Sequence, residues 1–267
     1  MAPVCGKKSD LRQMEAFSNQ KRARRAVFHN SSYLCVNFTR MYTYQYPHPA
    51  VTTDCVIFGY DVREGLSVLL IQRGLDPFKG RWAFPGGFLR MDEDADTGAR
   101  RELKEETGLD TSSISQFGTF TAVDRDPRER VITIAYMALV KRLDVQGGDD
   151  AADARWFPVS AIPPLAFDHD RILRLALERL KEQIHFHPVG FELLPEVFTL
   201  SQLQGLYEAI LEVRFDRRNF AHKMLKLGLL NPVGNRPADA ARRIPQTYCF
   251  NAEKYSEFKQ SGFRLEF

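Results

Sequence analysis

Three glutamates in one short stretch, Glu102, Glu105 and Glu106, are the residues of this chain best suited to chemistry. Their spacing of i, i+3 and i+4 puts all three carboxylates on one face of a helix. Carboxylates that close repel one another and raise one another's pKa values. Glu105 and Glu106 also fall in the last turn before Gly108, the expected helix terminator, where the helix dipole disfavours negative charge. Most helical charge runs are solvated faces, but a sequence tuned only for stability would place Lys or Arg at that end. A local rule broken at one spot marks function. Hard divalent cations, which take oxygen ligands, supply the missing compensation. The residues therefore read as a site for a hard divalent cation.

The glutamates belong to a longer pattern. Residues 87–109, GFLRMDEDADTGARRELKEETGL, run as Gly, five residues, Glu, seven residues, then Arg-Glu-aliphatic-any-Glu-Glu-any-Gly-aliphatic. A chance match at average composition is on the order of one in 10⁹ per starting point, so the pattern is a signal. Asp94 is the expected N-cap, and Arg101 can pair with Glu105 one turn on and orient it. Gly86 and Gly87 allow a tight loop, so that the Gly87 carbonyl can face the metals. Ala99 and Leu103, four apart, should face the core. Gly98 in mid-helix costs about 1 kcal/mol relative to Ala, and nothing in the sequence accounts for it.

This pattern resembles the signature of the Nudix hydrolase family. The resemblance implies an α/β/α sandwich and attack of a metal-bound water on a diphosphate, with Mg²⁺ polarising phosphoryl oxygens. By motif position, Glu102 and Glu106 are implied metal ligands, Glu105 a ligand or general base, and Glu93 a supporting carboxylate. The stretch LLIQRGLDPFKGRWAFPGGFLR (Leu69–Arg90) and the run DRDPRERVITIAYMALV (Asp124–Val140) are similar to the branch associated with ADP-ribose and related sugar nucleotides. Arg73, Arg81 and Arg128 are the expected substrate-binding residues, with Lys79 and Arg130 further cations that can meet phosphates, because guanidinium suits bidentate binding. Trp82 and Phe117 suit either a core or a stack on a base.

Elements must position this helix. Strand-like runs occupy Thr53–Tyr60, Leu66–Arg73, Ile114–Val123 and Arg130–Val140, with a shorter one at Ala154–Val159. A strong helix over Ala95–Thr107 falls between the second and third. Another spans about Asp170–Ile184, with Ile172, Leu173, Leu175, Ala176 and Leu180 as an apolar stripe. That order predicts a mixed sheet covered by helices. His185–Pro195, with two prolines and a glycine, reads as a linker.

A second module follows. Thr199-Leu200-Ser201-Gln202 is a capping box opening a helix whose Leu200, Leu203, Leu206, Ile210 and Leu211 lie on one side. After a short turn at Val213–Phe215, Asp216 caps a second helix ending at Gly228. Its Phe220, Met224 and Leu227 should be buried. Asn219, His222, Lys223 and Lys226 lie on the other side, and Arg217 and Arg218 fill the first turn. Two helices, a short turn and a basic exposed face fit a helix-turn-helix, with Leu229–Asn231 and Thr247–Phe250 forming a hairpin wing around a loop that holds Arg236, Arg242 and Arg243. Charge alone leaves an ordinary solvated helix in a dimerisation or lid module equally open. The order FELLPEVFTLSQLQGLYEAIL…DRRNF…LGLL resembles the winged-helix tail of the Nudix-related transcriptional regulators. That resemblance implies a dimeric repressor whose Nudix domain senses ADP-ribose or a similar metabolite. Many members of that family lack catalytic glutamates that this chain keeps.

Composition sets the frame. With 44% hydrophobic and 27% charged residues, the 267-residue chain is an ordinary globular one. Its longest apolar run, Val131–Val140, is too short to span a bilayer. Cys5, Cys35, Cys55 and Cys249 form no CxxC pair, so neither a zinc site nor a disulfide framework is expected, and a cytoplasmic home is the simplest reading. Residues 1–40 hold eight Lys/Arg against two Asp/Glu, residues 41–189 hold 18 against 23, and residues 190–267 hold 11 against nine. The first 40 suit a flexible arm, an organellar leader or an upstream over-extension of the reading frame, with Met41 well placed as a start. The expected organisation is a basic extension over 1–44, a Nudix domain over 45–188 and a winged-helix domain over 189–267. The leading reading is an enzyme-regulator that binds and hydrolyses an ADP-ribose-like ligand with Mg²⁺ and binds duplex DNA as a homodimer. Its rivals are a purely metabolic hydrolase of the ADP-ribose pyrophosphatase type with a dimerising tail, and a sensor-repressor without turnover.

Overall fold

The computed structural model describes residues 44–111, 113–142, 145, 151–185, 193–234 and 245–261. Residues 48–267 form one unit, and of the unit over residues 1–47 only 44–47 are described, all exposed. The expectations for residues 1–40, and for Arg236, Arg242 and Arg243, lie outside the described residues.

Strands β1 (Ala50–Asp61) and β2 (Gly65–Arg73) form a hairpin, closed where the Asp61 carboxylate accepts from the amides of Arg63 and Glu64. The two strands pair from Asp61↔Gly65 to Phe58↔Val68 and then part. The segment between them fills the fork. There β3 (Trp82–Ala83) pairs with β2 and β4 (Gly86–Phe88) pairs with β1. On its far side β1 runs parallel to β6 (Val131–Leu139), which carries β5 (Ser115–Phe120) antiparallel. Strand β7 (Ala151–Pro158) pairs antiparallel with β2. The two-residue β3 and three-residue β4 are too short to show a period of two, so the sequence did not announce them.

Strand periodicity sorts the sheet's side chains into two layers. Cys55, Ile57, Leu69, Tyr136 and Ala138 face helix α1 (Ala95–Thr107) and bury its Ala99 and Leu103. Val56, Phe58, Val68, Leu70 and Met137 face helix α2 (His169–Gln183) and bury Ile172, Ala176 and Leu180. This is the expected α/β/α sandwich. Asp94 caps α1 by accepting from the Thr97 amide at 2.8 Å, and Gly108, at φ 71°, ends it.

The C-terminal part holds β8 (Phe198–Thr199), α3 (Leu200–Leu211), α4 (Arg217–Lys226), β9 (Leu230–Val233), β10 (Thr247–Phe250) and α5 (Ala252–Ser261). Both halves of the capping box form: the Gln202 amide donates to Thr199 Oγ1 at 3.2 Å, and the Thr199 amide to Gln202 Oε1 at 2.8 Å. Asp216 caps α4 through the amides of Arg218 and Asn219. Strand β10 pairs with both β8 and β9, giving the small sheet of a wing. Helix α5 was not foreseen. Neither was the packing at the end of the expected linker: residues 186–192 lie outside the described set, but Leu193 and Leu194 are buried in the core. That core runs without a break from Phe58 and Val68 through Leu180 and Ile184 to Leu203, Leu206, Phe220 and Met224. Among the described residues no helix is long and apolar enough to cross a membrane.

Candidate functional site

Helix α1 buries two of its three glutamates. Glu102 and Glu106 are 2% and 7% exposed and point toward β4, whereas Glu105 lies at the rim. Burial, more than the repulsion expected from spacing, pushes both buried carboxyls upward. Glu106 rises to about 8; the Gly86 amide opposes the shift by donating to its Oε2 at 2.7 Å, and Glu102 and Asp54 add to it. For Glu102, the Arg101 guanidinium works against burial. Arg101 forks across the face, donating to Glu93 at 2.5 and 2.9 Å, to Glu102 at 2.7 Å and to Glu105 at 3.0 Å. The expected pair with Glu105 is thus one branch of a four-residue cluster, which Arg90 joins at Glu105. Glu93 is held below the usual carboxylate range chiefly by Arg101.

Two glycines of this site are explained by close approach. A Cβ on Gly87 would lie 2.5 Å from Glu102 Oε1, so the bare backbone leaves room over that carboxylate. A Cβ on Gly98 would lie 2.3 Å from Leu89 Cδ2 and 3.1 Å from Glu93 Oε1. The helix takes a propensity loss at Gly98 so that the loop bearing Glu93 can close on it. Among the described residues no three His, Cys, Asp or Glu side chains are grouped to hold one metal ion, and Arg101 Nη1 stands between the carboxylates of Glu102 and Glu105. The pair itself fits a hard cation: two inward carboxylates, one with a strongly raised pKa, beside a backbone cradle that any side chain at position 87 would fill.

Behind β4 lies a buried polar network that the sequence did not reveal. Arg125 donates to Asp54 at 3.3 Å and to Asp168 at 2.8 Å. His169 Nδ1 accepts from the Phe84 amide at 3.0 Å, and its Nε2 faces Asp54 Oδ1 at 3.6 Å. A visible signal was Asp54 itself, an acid inside the apolar strand Thr53–Tyr60. The polar residues just ahead of the apolar stripe of α2, Asp168 and His169, were another.

Of the expected substrate-binding arginines, the structure brings Arg73 and Arg128 together and leaves Arg81 apart. The Arg73 guanidinium lies 4.8 Å from the centre of the Phe167 ring, and Arg128 lies 5.8 Å from Phe167 and 5.2 Å from Phe88. Asp126, nearly buried, fixes Arg128 through two bonds of 3.0 and 2.7 Å. Burial and the nearby charge of Arg128 pull the Arg73 guanidinium below its usual value. Two cations held side by side in this way suit an anion between them. Arg81 is exposed in the preceding turn, as is Lys79, and Arg130 is spent on the carbonyls of Thr121 and Ala122. Trp82 and Phe117 are both half-buried and pack against the main core.

On α4, Phe220 and Met224 are buried and Leu227 packs beside them. Arg217, Arg218, Asn219, His222 and Lys226 are exposed, and Lys223 is half-buried. The turn leading into α4 is tied to α3: the Phe215 amide donates to Glu208 at 2.9 Å, and Gln204 donates to the Phe215 carbonyl at 3.0 Å.

Comparison with known proteins agrees with this geometry. Residues 48–176 match the NUDIX domain, and residues 190–250 match the NrtR DNA-binding winged helix domain. The chain is similar to the ADPR responsive transcriptional repressor NtrR of Acinetobacter baylyi, with 33% identity over 80% of this chain and 89% of the relative. It is also similar to the ADP-ribose pyrophosphatase of Methanocaldococcus jannaschii, 41% identical over 48% of this chain and 73% of the relative. The crystal structure of Shewanella oneidensis NrtR complexed with a 27mer DNA superposes with a TM-score of 0.65 and 31% identity, over 80% of this chain and 97% of that one.

Proposed function

Because this chain belongs to the family of Nudix proteins that carry an NrtR-type winged helix, we propose that it binds ADP-ribose, or a closely related nucleoside diphosphate sugar, and couples that ligand to duplex DNA binding. One observation carries the reading. A complete carboxylate helix and a winged helix with an exposed basic face share one continuous core.

Glu102 and Glu106 are the residues that would hold Mg²⁺ or Mn²⁺, with the Gly87 backbone beside them. When bound, the cation would polarise a phosphoryl oxygen and lower the pKa of attacking water. Arg101 orients Glu102 and Glu105, and Glu93 in turn fixes Arg101. Arg73 and Arg128 meet the diphosphate, and Phe167 and Phe88 give the site an apolar wall. On the other module, Arg217, Arg218, Lys223 and Lys226 meet DNA phosphates, and Asn219 and His222 reach base edges. The protein works in the cytoplasm as a homodimer, which sedimentation equilibrium would check.

The experiment has two arms. ADP-ribose hydrolysis is measured with Mg²⁺ or Mn²⁺ in wild type and in Glu106→Gln, whose neutral amide is a poor ligand for a hard cation. Wild type should turn over, and the variant should lose at least 100-fold. DNA binding is measured with and without ADP-ribose. A wild type that hydrolyses no nucleoside diphosphate derivative sinks the enzyme reading, and one that binds no DNA at low salt sinks the regulator reading. The grip of Arg101 on Glu102 and Glu105 favours one second reading, a sensor with little turnover. It expects ligand-dependent DNA binding without hydrolysis. A purely metabolic hydrolase would show the reverse.

A further inference from the structure

The turn over residues 84–87 brings the backbone up to the carboxylate helix, and several contacts pin it. The Cys55 amide donates to the Pro85 carbonyl at 2.8 Å, and the Gly86 amide donates to Glu106. A Cβ on Gly86 would lie 3.0 Å from Asp54 Oδ1, so the Asp54 carboxylate is packed directly against that residue. The Phe84 amide donates to a side chain 85 positions away, His169, at 3.0 Å. The Phe84 ring stacks on the same imidazole, 5.1 Å between centres and 14° between planes. His169 therefore touches both flanks of the turn: Phe84 directly, and Gly86 by way of Asp54.

We propose that His169 is a positioning residue for the carboxylate site, holding the 84–87 turn from behind so that the Gly86 amide and Glu106 meet. The inference rests on the reading of Glu102 and Glu106 as cation ligands and names a further residue for that same site.

The chemistry of imidazole suits the task. Nδ1 accepts from the Phe84 amide, so it carries a lone pair and the ring proton sits on Nε2, facing Asp54. At 3.6 Å that second contact is electrostatic and too long for a strong hydrogen bond. Burial, opposed by Asp54, lowers the imidazole's pKa and favours the neutral form that this arrangement requires. Asp54 does not depend on His169 for its charge balance, because Arg125 pairs with it and is itself anchored on Asp168, the neighbour of His169. A buried polar ring costs desolvation unless its nitrogens are used, and an apolar residue here would leave the Phe84 amide without its acceptor. An Asn side chain places its amide oxygen close to where Nδ1 stands and can still accept from the Phe84 amide, whereas Leu offers that amide no acceptor.

The test uses the full-length protein and Mn²⁺ as the probe, with affinity read by electron paramagnetic resonance. His169→Leu should weaken Mn²⁺ binding at least tenfold, and His169→Asn, which keeps an acceptor for the Phe84 amide, should stay within about threefold of wild type. Melting temperatures recorded alongside separate a misplaced turn from global unfolding. A folded Leu variant that binds Mn²⁺ like wild type would overturn the proposal, as would an Asn variant that fails as badly as Leu. Labelled-histidine NMR of wild type gives a reading that needs no variant. His169 should hold the Nε2–H tautomer, and the Phe84 and Gly86 amides should both shift on Mg²⁺ addition. The opposite tautomer, or amides indifferent to Mg²⁺, would overturn it. If wild type binds no Mn²⁺, the cation reading of the helix falls and this inference with it. If wild type binds and the Leu variant matches it, only this inference falls.

Discussion

Glu106 shows how a functional residue trades against stability. Its carboxyl is buried and raised to about 8, well above the unfolded value near 4.5. A group whose folded pKa is raised contributes stability that is present below the unfolded pKa and lost as pH rises through the folded one. Without divalent cation the stability should therefore fall between about pH 4.5 and 8 by an amount on the order of a few kcal/mol, read as a lower melting temperature. A bound cation competes with that proton, so added Mg²⁺ should stabilise more at pH 8 than at pH 5.5. Glu106→Gln cannot ionise; it should flatten the pH slope, lose the Mg²⁺ effect and be more stable than wild type at pH 8 without metal. Melting curves for both proteins across that range, with and without Mg²⁺, check all three outcomes. A wild type that gains stability toward pH 8 in the absence of metal would show that Glu106 is ionised as the fold forms. The sequence pointed to repulsion among glutamates. It could not show that burial is the larger cause, since burial depends on where β4 lies.

At the scale of elements, legibility followed length and local chemistry. Helix α1 falls on its expected span because a side-chain cap and a terminating glycine mark its ends within the sequence itself. The long strands and both helices of the C-terminal pair were legible for similar reasons, with ends that differ by a few residues. What escaped depends on distant partners. Strands β3 and β4 exist only because β1 and β2 part, and α5 lacks a clear apolar stripe. Asp54, Arg125, Asp168 and His169 are joined across 43 to 115 positions of chain, which no local pattern records. Helix α4 is the case where a legible pattern carries its own test. Its buried Phe220 and Met224 fix which side faces outward, leaving Arg217, Arg218, Asn219, His222 and Lys226 exposed. Lys226→Ala should weaken binding to all duplexes and reduce the slope of log K against log salt by about 0.9. Asn219→Ala should leave that slope nearly unchanged and relax preference between specific and random duplex. Titrations at several salt concentrations decide it, and a Lys226→Ala protein that matches wild type would take α4 off the DNA.

At the scale of the whole molecule, one helix touches both functions. The start of α2 backs the candidate ligand site, where its N-cap Asp168 holds Arg125 and His169 holds the turn before β4. Its middle and end, Ile172, Leu180 and Ile184, belong to the core that contains Leu203 and Leu206 of α3, and Lys181 reaches Glu212 at 3.0 Å. Helix α3 in turn grips the start of α4 through Gln204 and Glu208. Contact alone does not make coupling; a ligand shifts DNA affinity only by as much as it distinguishes two states of the protein. If those states differ in how α2 is seated, loosening its first turn should shrink the coupling while each module still binds its own ligand. Asp168→Asn keeps the shape and weakens the tie to Arg125. With saturating ADP-ribose, to remove any effect on ligand affinity, the ratio of DNA dissociation constants with and without ligand should fall toward one. DNA affinity in the absence of ligand should stay within about threefold of wild type. Linkage demands the reciprocal result as well: DNA should change ADP-ribose affinity by the same smaller factor. An Asp168→Asn protein that keeps the full wild-type ratio would place the coupling elsewhere, in the packing of α3 on β2 or in an interface between copies of the chain.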